Sequence, residues 1–199
     1  MRIRFGGRGA RFALLMAMAV VGVGSLAGQG IADAGARIGW VGLTGDEFAS
    51  AKDAVGFEAF LRWSFPSGFG IQGGAHYSSH ELEGASDNLG LLSVYLEPRY
   101  LFPVSLGVRG AAPFVGLRGL YARFENVTGE ADINADGWGI GGVGGLLIPI
   151  TPRLGLEVSG WYSGLTSGTA KFNDTQVPNS GRSGGLFAVQ VALFASTGR

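Results

Sequence analysis

The chain is 199 residues long, carries 37 glycines and no cysteine, and balances 15 basic against 15 acidic residues. That length suits one domain, and the absent cysteines exclude a disulfide framework, thiolate chemistry and any metal site built on Cys. Only 15% of the residues are charged while 46% are hydrophobic, a composition too apolar for a disordered chain.

The N-terminal stretch reads as an export signal. Arg2, Arg4, Arg8 and Arg11 precede the almost wholly apolar run Phe12–Val23, and small residues follow. This is the order of a secretory signal peptide, and the apolar run falls short of the ~20 residues of a spanning helix. Ala32-Asp33-Ala34 fits an A-x-A cleavage site, with Ala27 as an earlier alternative. Residues 1–34 are therefore expected to be the signal and 35–199 the mature domain. Cleavage there removes four arginines and one aspartate, which takes the net charge from zero to about −3. A basic patch for nucleic acid is thereby excluded.

From Ala36 onwards, segments with a period of two alternate with turn-like clusters. Eight strands are predicted: Ala36–Leu43, Ala54–Phe65, Phe69–Ser79, Leu89–Leu101, Pro113–Phe124, Trp138–Pro149, Arg153–Leu165 and Gly185–Ala195. Most match the ~9–11 residues that a tilted strand needs to cross a bilayer. Phe65-Pro66-Ser67-Gly68 and Ile150-Thr151-Pro152-Arg153 are tight turns, whereas Thr44–Asp53, His80–Asn88, Glu125–Asp136 and Thr166–Gly184 are longer and acidic. Leu101–Ala112 is long for the short-turn side. Short turns at one end and long loops at the other is the asymmetry of bacterial outer-membrane barrels.

Alternation alone does not separate a membrane barrel from a soluble one, so the occupants of each face decide. In the second predicted strand Val55, Phe57, Ala59, Leu61, Trp63 and Phe65 oppose Glu58, Phe60, Arg62 and Ser64. In the fourth, Leu92, Val94, Leu96, Pro98 and Tyr100 oppose Ser93, Tyr95, Glu97 and Arg99. In the seventh, Leu154, Leu156, Val158 and Tyr162 oppose Gly155, Glu157, Ser159 and Trp161. The bulky face carries no charge, and both lysines of the mature chain, Lys52 and Lys171, fall in loops. The bulky face is read as lipid-facing and the small, mixed face as the lumen. Trp63, Phe65, Phe69, Tyr100, Phe102, Trp138 and Tyr162 fall near strand ends, as interfacial aromatic girdles do.

The chemistry-bearing residues then divide by place. Glu58, Arg62, Glu97, Arg99, Arg118 and Glu157 share the lumen face with Gln72 and His76. Three acids and three arginines neutralise one another there, as buried charges must. The interior of an eight-stranded barrel is only just filled by side chains, which favours a plug over a gated pore. His76 and Ser78 are two apart on one face and form a base–nucleophile candidate pair, with Glu81 or Glu83 as the acid. Their H-x-S spacing resembles the catalytic pair of outer-membrane lipid A deacylases, although here the phase points both inward. Asp132, Asn134 and Asp136 alternate like ligands of a Ca²⁺ loop, but the Glu after Gly137 and the flanking helices are missing. No metal and no cofactor are expected.

Gly137-Trp138-Gly139-Ile140-Gly141-Gly142-Val143-Gly144-Gly145, followed by Ile148-Pro149-Ile150-Thr151-Pro152-Arg153-Leu154, resembles the Gly-rich penultimate hairpin of OmpA/OmpX-type outer-membrane β-barrel domains. Val94-Tyr95-Leu96-Glu97-Pro98-Arg99-Tyr100 is similar to their fourth strand. The resemblance spans the mature chain as a pattern, and departs from it where the chain ends Ser196-Thr197-Gly198-Arg199 instead of on an aromatic. It implies an all-β fold: an eight-stranded antiparallel up-and-down transmembrane β-barrel, monomeric, exported to the outer membrane of a Gram-negative type cell. It further implies a structural or surface-interaction role without a wide pore, and no enzyme activity. The expected partners are outer-membrane lipid, lipopolysaccharide and the barrel-insertion machinery during biogenesis. The competing readings are a lipid-modifying enzyme using His76 and Ser78, a small gated pore, and a soluble exported barrel.

Overall fold

The N–H and C=O groups of a strand point to both of its edges, and a sheet leaves none of them unpaired only by closing on itself. A computed structural model, which describes residues 30–84, 88–104, 106–107, 110–126, 133–167, 171–172, 175–176 and 183–197, shows this closure. Its barrel strands are β1 (Ile31–Thr44), β2 (Ala54–Ser64), β3 (Phe69–Glu81), β4 (Asn88–Leu101), β5 (Ala112–Asn126), β6 (Ile133–Thr151), β7 (Leu154–Ser167) and β8 (Ser183–Ser196). Each pairs antiparallel with its sequence neighbours, and β1 pairs with β8 from Asp33↔Ser196 to Thr44↔Gly185. With the β5–β6 pairing the ring is complete. The architecture is the expected eight-stranded up-and-down barrel.

The eight strands lie where the period-two pattern places them, but several run further. β1 begins at Ile31, five residues before the expected start, and β6 extends from Ile133 to Thr151. The hydrophobic alternation marks only the part of a strand that faces apolar surroundings. Backbone pairing continues past it, for instance at Arg123↔Asp136 and Glu125↔Asn134. Ile31–Ala34, assigned above to the signal, belong to β1 and pair with Leu61–Ser64. Residues 1–29, the remainder of that segment, lie outside the described residues.

The tight connections follow from their residues. At Phe65–Gly68, Pro66 presets φ for a turn, Gly68 N–H donates to Phe65 O at 3.1 Å, and Gly68 takes φ +88°. A side chain at that φ would be strained, which is why glycine stands there. At the second tight turn the Thr151 hydroxyl accepts from Arg153 N–H at 3.2 Å. The Leu101–Ala112 connection is on the same rim and is braced by Phe102 N–H to Pro113 O and Leu106 N–H to Ala111 O. On the opposite rim, the β1–β2 connection forms a 3₁₀ turn at Asp46–Phe48, and the β7–β8 connection contributes a small ladder pairing Lys171–Phe172 with Thr175–Gln176.

The faces separate as the occupants required. Val55, Phe57, Val94, Leu96, Val158 and Tyr162 point out of the barrel and are exposed, while Glu58, Arg62, Glu97, Arg99 and Glu157 are buried inside it. A belt of Ile38, Ile71, Leu117, Ile140, Val191 and Leu193 encircles the outside between two aromatic zones. One zone, at the short-turn rim, has Tyr100 stacked edge-on between Phe69 and Phe102 at ring distances of 5.1 and 5.3 Å. The other includes Trp40, Tyr77, Tyr121, Trp138 and Tyr162, all outward and exposed. A charge-free apolar belt with aromatic borders is what a bilayer selects and what water does not.

Candidate functional site: the lumen

Charges that cannot face lipid must turn inward and find partners there. Strands on all sides of the barrel do this. All six lumen residues named from the sequence are buried inside the ring, and two more join them: Arg37 on β1 and Asp33 near its start. Among the described residues, the buried carboxylates and guanidiniums are Asp33, Glu58, Glu97 and Glu157 against Arg37, Arg62, Arg99 and Arg118. The set is electrically balanced.

Glu157 on β7 is the hub. It accepts from Arg37, from Arg62 Nη1 at 2.6 Å and from Arg99 Nη1 at 2.9 Å. Glu58 pairs with Arg37 and, through its second oxygen, with Arg118 Nη1 at 3.1 Å. Glu97 pairs with Arg99 and with Arg118 Nη2 at 2.6 Å. Asp33 holds Arg62 Nε at 2.7 Å. The pairs between β1 or β2 and β7, and between β4 and β7, are chords across the interior, not contacts along one wall. Tyr95 adds a hydroxyl that donates to Glu58 and accepts from Gln72 Nε2 at 2.9 Å.

Aromatic faces fill the remaining space beside the guanidiniums. Arg37 lies 4.4 Å from the Phe60 centroid, Arg62 4.5 Å from Phe194, Arg99 4.1 Å from Phe114, and Arg118 3.9 Å from Tyr95. Such faces compensate a cation that has left water. Towards the long-loop rim the lumen changes character: Val41, Leu43, Leu91, Phe124 and Leu186 are buried together, and Phe48 of the 3₁₀ turn stacks on Phe124 at 5.5 Å. At the short-turn rim a vestibule of about 720 Å³ is walled by Ile31, Asp33, Ser64, Phe65 and Leu101 among others. Deeper in, a void of about 10 Å³ touches Arg62 and Arg99, at most the size for one water.

The catalytic candidates are arranged differently from the sequence reading. Ser78 Oγ lies 2.9 Å from Nε2 of His80, whereas neither ring nitrogen of His76 has a hydrogen-bond partner among the described residues. Nδ1 of His80 is 2.8 Å from the Lys52 carbonyl, which as a pure acceptor fixes the proton on Nδ1 and leaves Nε2 to accept from Ser78. Both histidines precede or follow Ser78 by two, so both share its face. The difference is made by the β1–β2 connection, whose Lys52 carbonyl captures His80. His76 instead stands edge-on to Trp161 at 6.0 Å. Ser78, His76 and His80 are all buried inside the barrel, away from the lipid face, and Glu81 is engaged with Lys52 at 3.5 Å on the outside. Among the described residues no cluster of His, Asp and Glu could hold a metal ion; Asp132, of the Ca²⁺-like segment, lies outside them.

Arg37 and Asp33 were missed for different reasons. Arg37 has the parity opposite to Ile38 and Trp40, a signal that the sequence carries. Asp33 was hidden by its position inside the A-x-A match Ala32-Asp33-Ala34.

The closed eight-stranded ring has counterparts among solved structures. Neisserial surface protein A matches with a TM-score of 0.53 at 16% identity, over 83% of this chain and 96% of its own. The outer membrane protein AlkL, whose structure was determined in DMPC bilayers, matches with a TM-score of 0.54 at 14% identity, over 86% of this chain and 92% of its own. The chain has the fold of the small outer-membrane β-barrels. Likeness of this kind carries architecture and not activity. No protein-family model matches the chain, and no curated protein sequence does.

Proposed function

We propose that this small barrel is an integral outer-membrane protein with a closed lumen, serving a structural or surface-interaction role and no enzymatic one. The observation that carries the reading is the set of ion pairs from Arg37, Arg62 and Arg99 to Glu157, which tie β1, β2 and β4 to β7 across the interior. A solute would have to part several buried pairs at once to pass. The apolar layer around Phe48 and Phe124 closes the outer mouth beyond them. Lipid and lipopolysaccharide are the partners of the outer belt, the insertion machinery is a transient one, and the long loops offer the surface for any other. Closure of the ring pairs both edges of each of the eight barrel strands, which supports a monomer.

The test is planar-bilayer recording on the refolded barrel. A silent bilayer is expected; a steady unitary conductance would overturn the closed lumen.

Export is part of the same proposal, and β1 bears on where the signal ends. Cleavage after Ala34 would remove Asp33, leave Arg62 short of a buried partner, and delete the pairing of Ala32 with Thr197 at the seam between β1 and β8. Cleavage after Ala27 keeps all of it, and Ser25-Leu26-Ala27 supplies small residues at the required spacing. The intact mass of the mature protein is therefore expected to correspond to a chain beginning at Gly28. A mass beginning at Gly35 would contradict this.

A further inference from the structure

The ladder between β4 and β5 is interrupted in its middle. The two strands pair from Leu89↔Asn126 to Leu96↔Gly119 and again from Arg99↔Gly116 to Leu101↔Phe114, in one unchanged register. That register sets Glu97 opposite Arg118 and Pro98 opposite Leu117, yet neither pair forms a rung. Among the described residues the other barrel ladders are continuous, apart from a register shift between β6 and β7 at Pro149/Thr151, beside the tight turn.

The cause is covalent. Proline has no N–H to give, and within sheets it normally takes an edge, where no neighbour needs that donor. In the ring of eight barrel strands both flanks of β4 are taken, by β3 and by β5. A residue of an antiparallel strand turns its N–H and C=O to one neighbour. Pro98 keeps its place in the ladder opposite Ile71 of β3, so the missing donor falls on the β5 side and the Leu117 carbonyl goes without it. Leu96 and Leu117 are both exposed on the outside, which sets the gap in the apolar belt. In hydrocarbon no water replaces a lost donor.

On the lumen side, side chains bridge the same gap. Arg118 of β5 donates to Oε2 of Glu97 from Nε at 2.9 Å and from Nη2 at 2.6 Å. Its guanidinium also lies 3.9 Å from the ring centroid of Tyr95, two residues further along β4. Arg99 of β4 returns the contact, 4.1 Å from the ring of Phe114 on β5. Glu97 and Arg118 are both buried. A charge-assisted pair is stronger than a neutral hydrogen bond, so it holds two strands where the backbone does not. Gly116 lets the strands stay close, since a Cβ there would come within 2.8 Å of the Pro98 carbonyl oxygen.

We propose that the β4–β5 seam at Pro98 is where the barrel wall opens first, with the Glu97–Arg118 pair as the latch that holds it shut. The missing rung eases opening on one flank of β5 only. On the other flank Arg118 and Leu120 belong to an unbroken ladder, opposite Gly141 and Gly139 of β6. An opening at Pro98 leads from the ion-pair cluster sideways to the acyl chains, not along the barrel axis. The seam therefore rests on the lipid-facing reading of the outer belt and not on the closed lumen.

Amide hydrogen exchange on the refolded barrel in micelles tests this, and β5 supplies its own control. By alternation the N–H groups of Leu117 and Gly119 face β4, and those of Arg118 and Leu120 face β6. Leu117 and Gly119 are expected to be at least about tenfold less protected than Arg118 and Leu120, as local opening on one flank requires. Pro98→Ala supplies the missing donor and is expected to erase the difference. Arg118→Lys keeps the charge but loses the two-donor grip on Glu97, and is expected to widen the difference several-fold. With Pro98→Ala already in place, the same change is expected to leave the two flanks nearly equal. Equal protection on the two flanks of wild-type β5 overturns the seam, and a difference that Arg118→Lys leaves unchanged overturns the latch. Extraction of the barrel from membranes without detergent is a separate failure, which removes the lipid-facing reading itself.

Discussion

Replacing Glu157 by Gln is expected to lower the unfolding free energy of the barrel by about 3–5 kcal/mol. Glu157 is fully buried and is shared by Arg37, Arg62 and Arg99. The amide keeps the shape and one accepting oxygen, but it leaves four buried guanidiniums facing three carboxylates. An uncompensated charge in a medium of low dielectric constant is the expensive outcome, far more so than loss of one hydrogen bond. Equilibrium urea unfolding from phospholipid vesicles, followed by tryptophan fluorescence, measures the change. Adding Arg99→Gln restores the balance of charge, so the double variant is expected to be more stable than the sum of the two single losses implies. A loss below about 0.5 kcal/mol for Glu157→Gln, the range of an indifferent surface substitution, would show that the cluster does not hold the walls together.

Much of this cluster was legible in the sequence because a strand has a period of two. Glu58 and Arg62, Glu97 and Arg99, Arg118 and Glu157 each sit on the parity opposite to a run of bulky apolar residues, and all six are inside the barrel. What parity does not contain is partnership. That Glu157 joins three arginines from three other strands depends on how far each side chain reaches across a closed interior, a property of the whole ring. The Ser78 pairing shows the same limit. His76 and His80 are equivalent by spacing, and the choice between them is made by Lys52 from a different connection.

The ends of the strands were legible least. Hydrophobic alternation in β1 is clear only from Ala36, yet the ladder with β2 starts at Ile31↔Ser64. Asp33 contributes nothing to an apolar pattern, because its role is to neutralise Arg62 from inside. The tight turns, by contrast, were written locally: Pro66 and Gly68 define one, Thr151 and Pro152 the other, and neither needs a distant partner.

The most direct test of the account is an arginine placed on the outer belt at Leu96. This side chain points out of β4, is 56% exposed, and lies between the two aromatic zones. If the belt faces hydrocarbon, Leu96→Arg must carry a guanidinium into the bilayer, at a cost of about 2–4 kcal/mol near the midplane. The same replacement at Ser67, exposed in the short turn, is the control and is expected to change stability by no more than about 0.5 kcal/mol. Unfolding free energies of both variants in phospholipid vesicles decide the matter. A large loss at Leu96 beside no loss at Ser67 is the predicted result. Equal, small effects at the two positions would mean that the apolar belt meets water, and the assignment of lipid face and lumen would have to be abandoned.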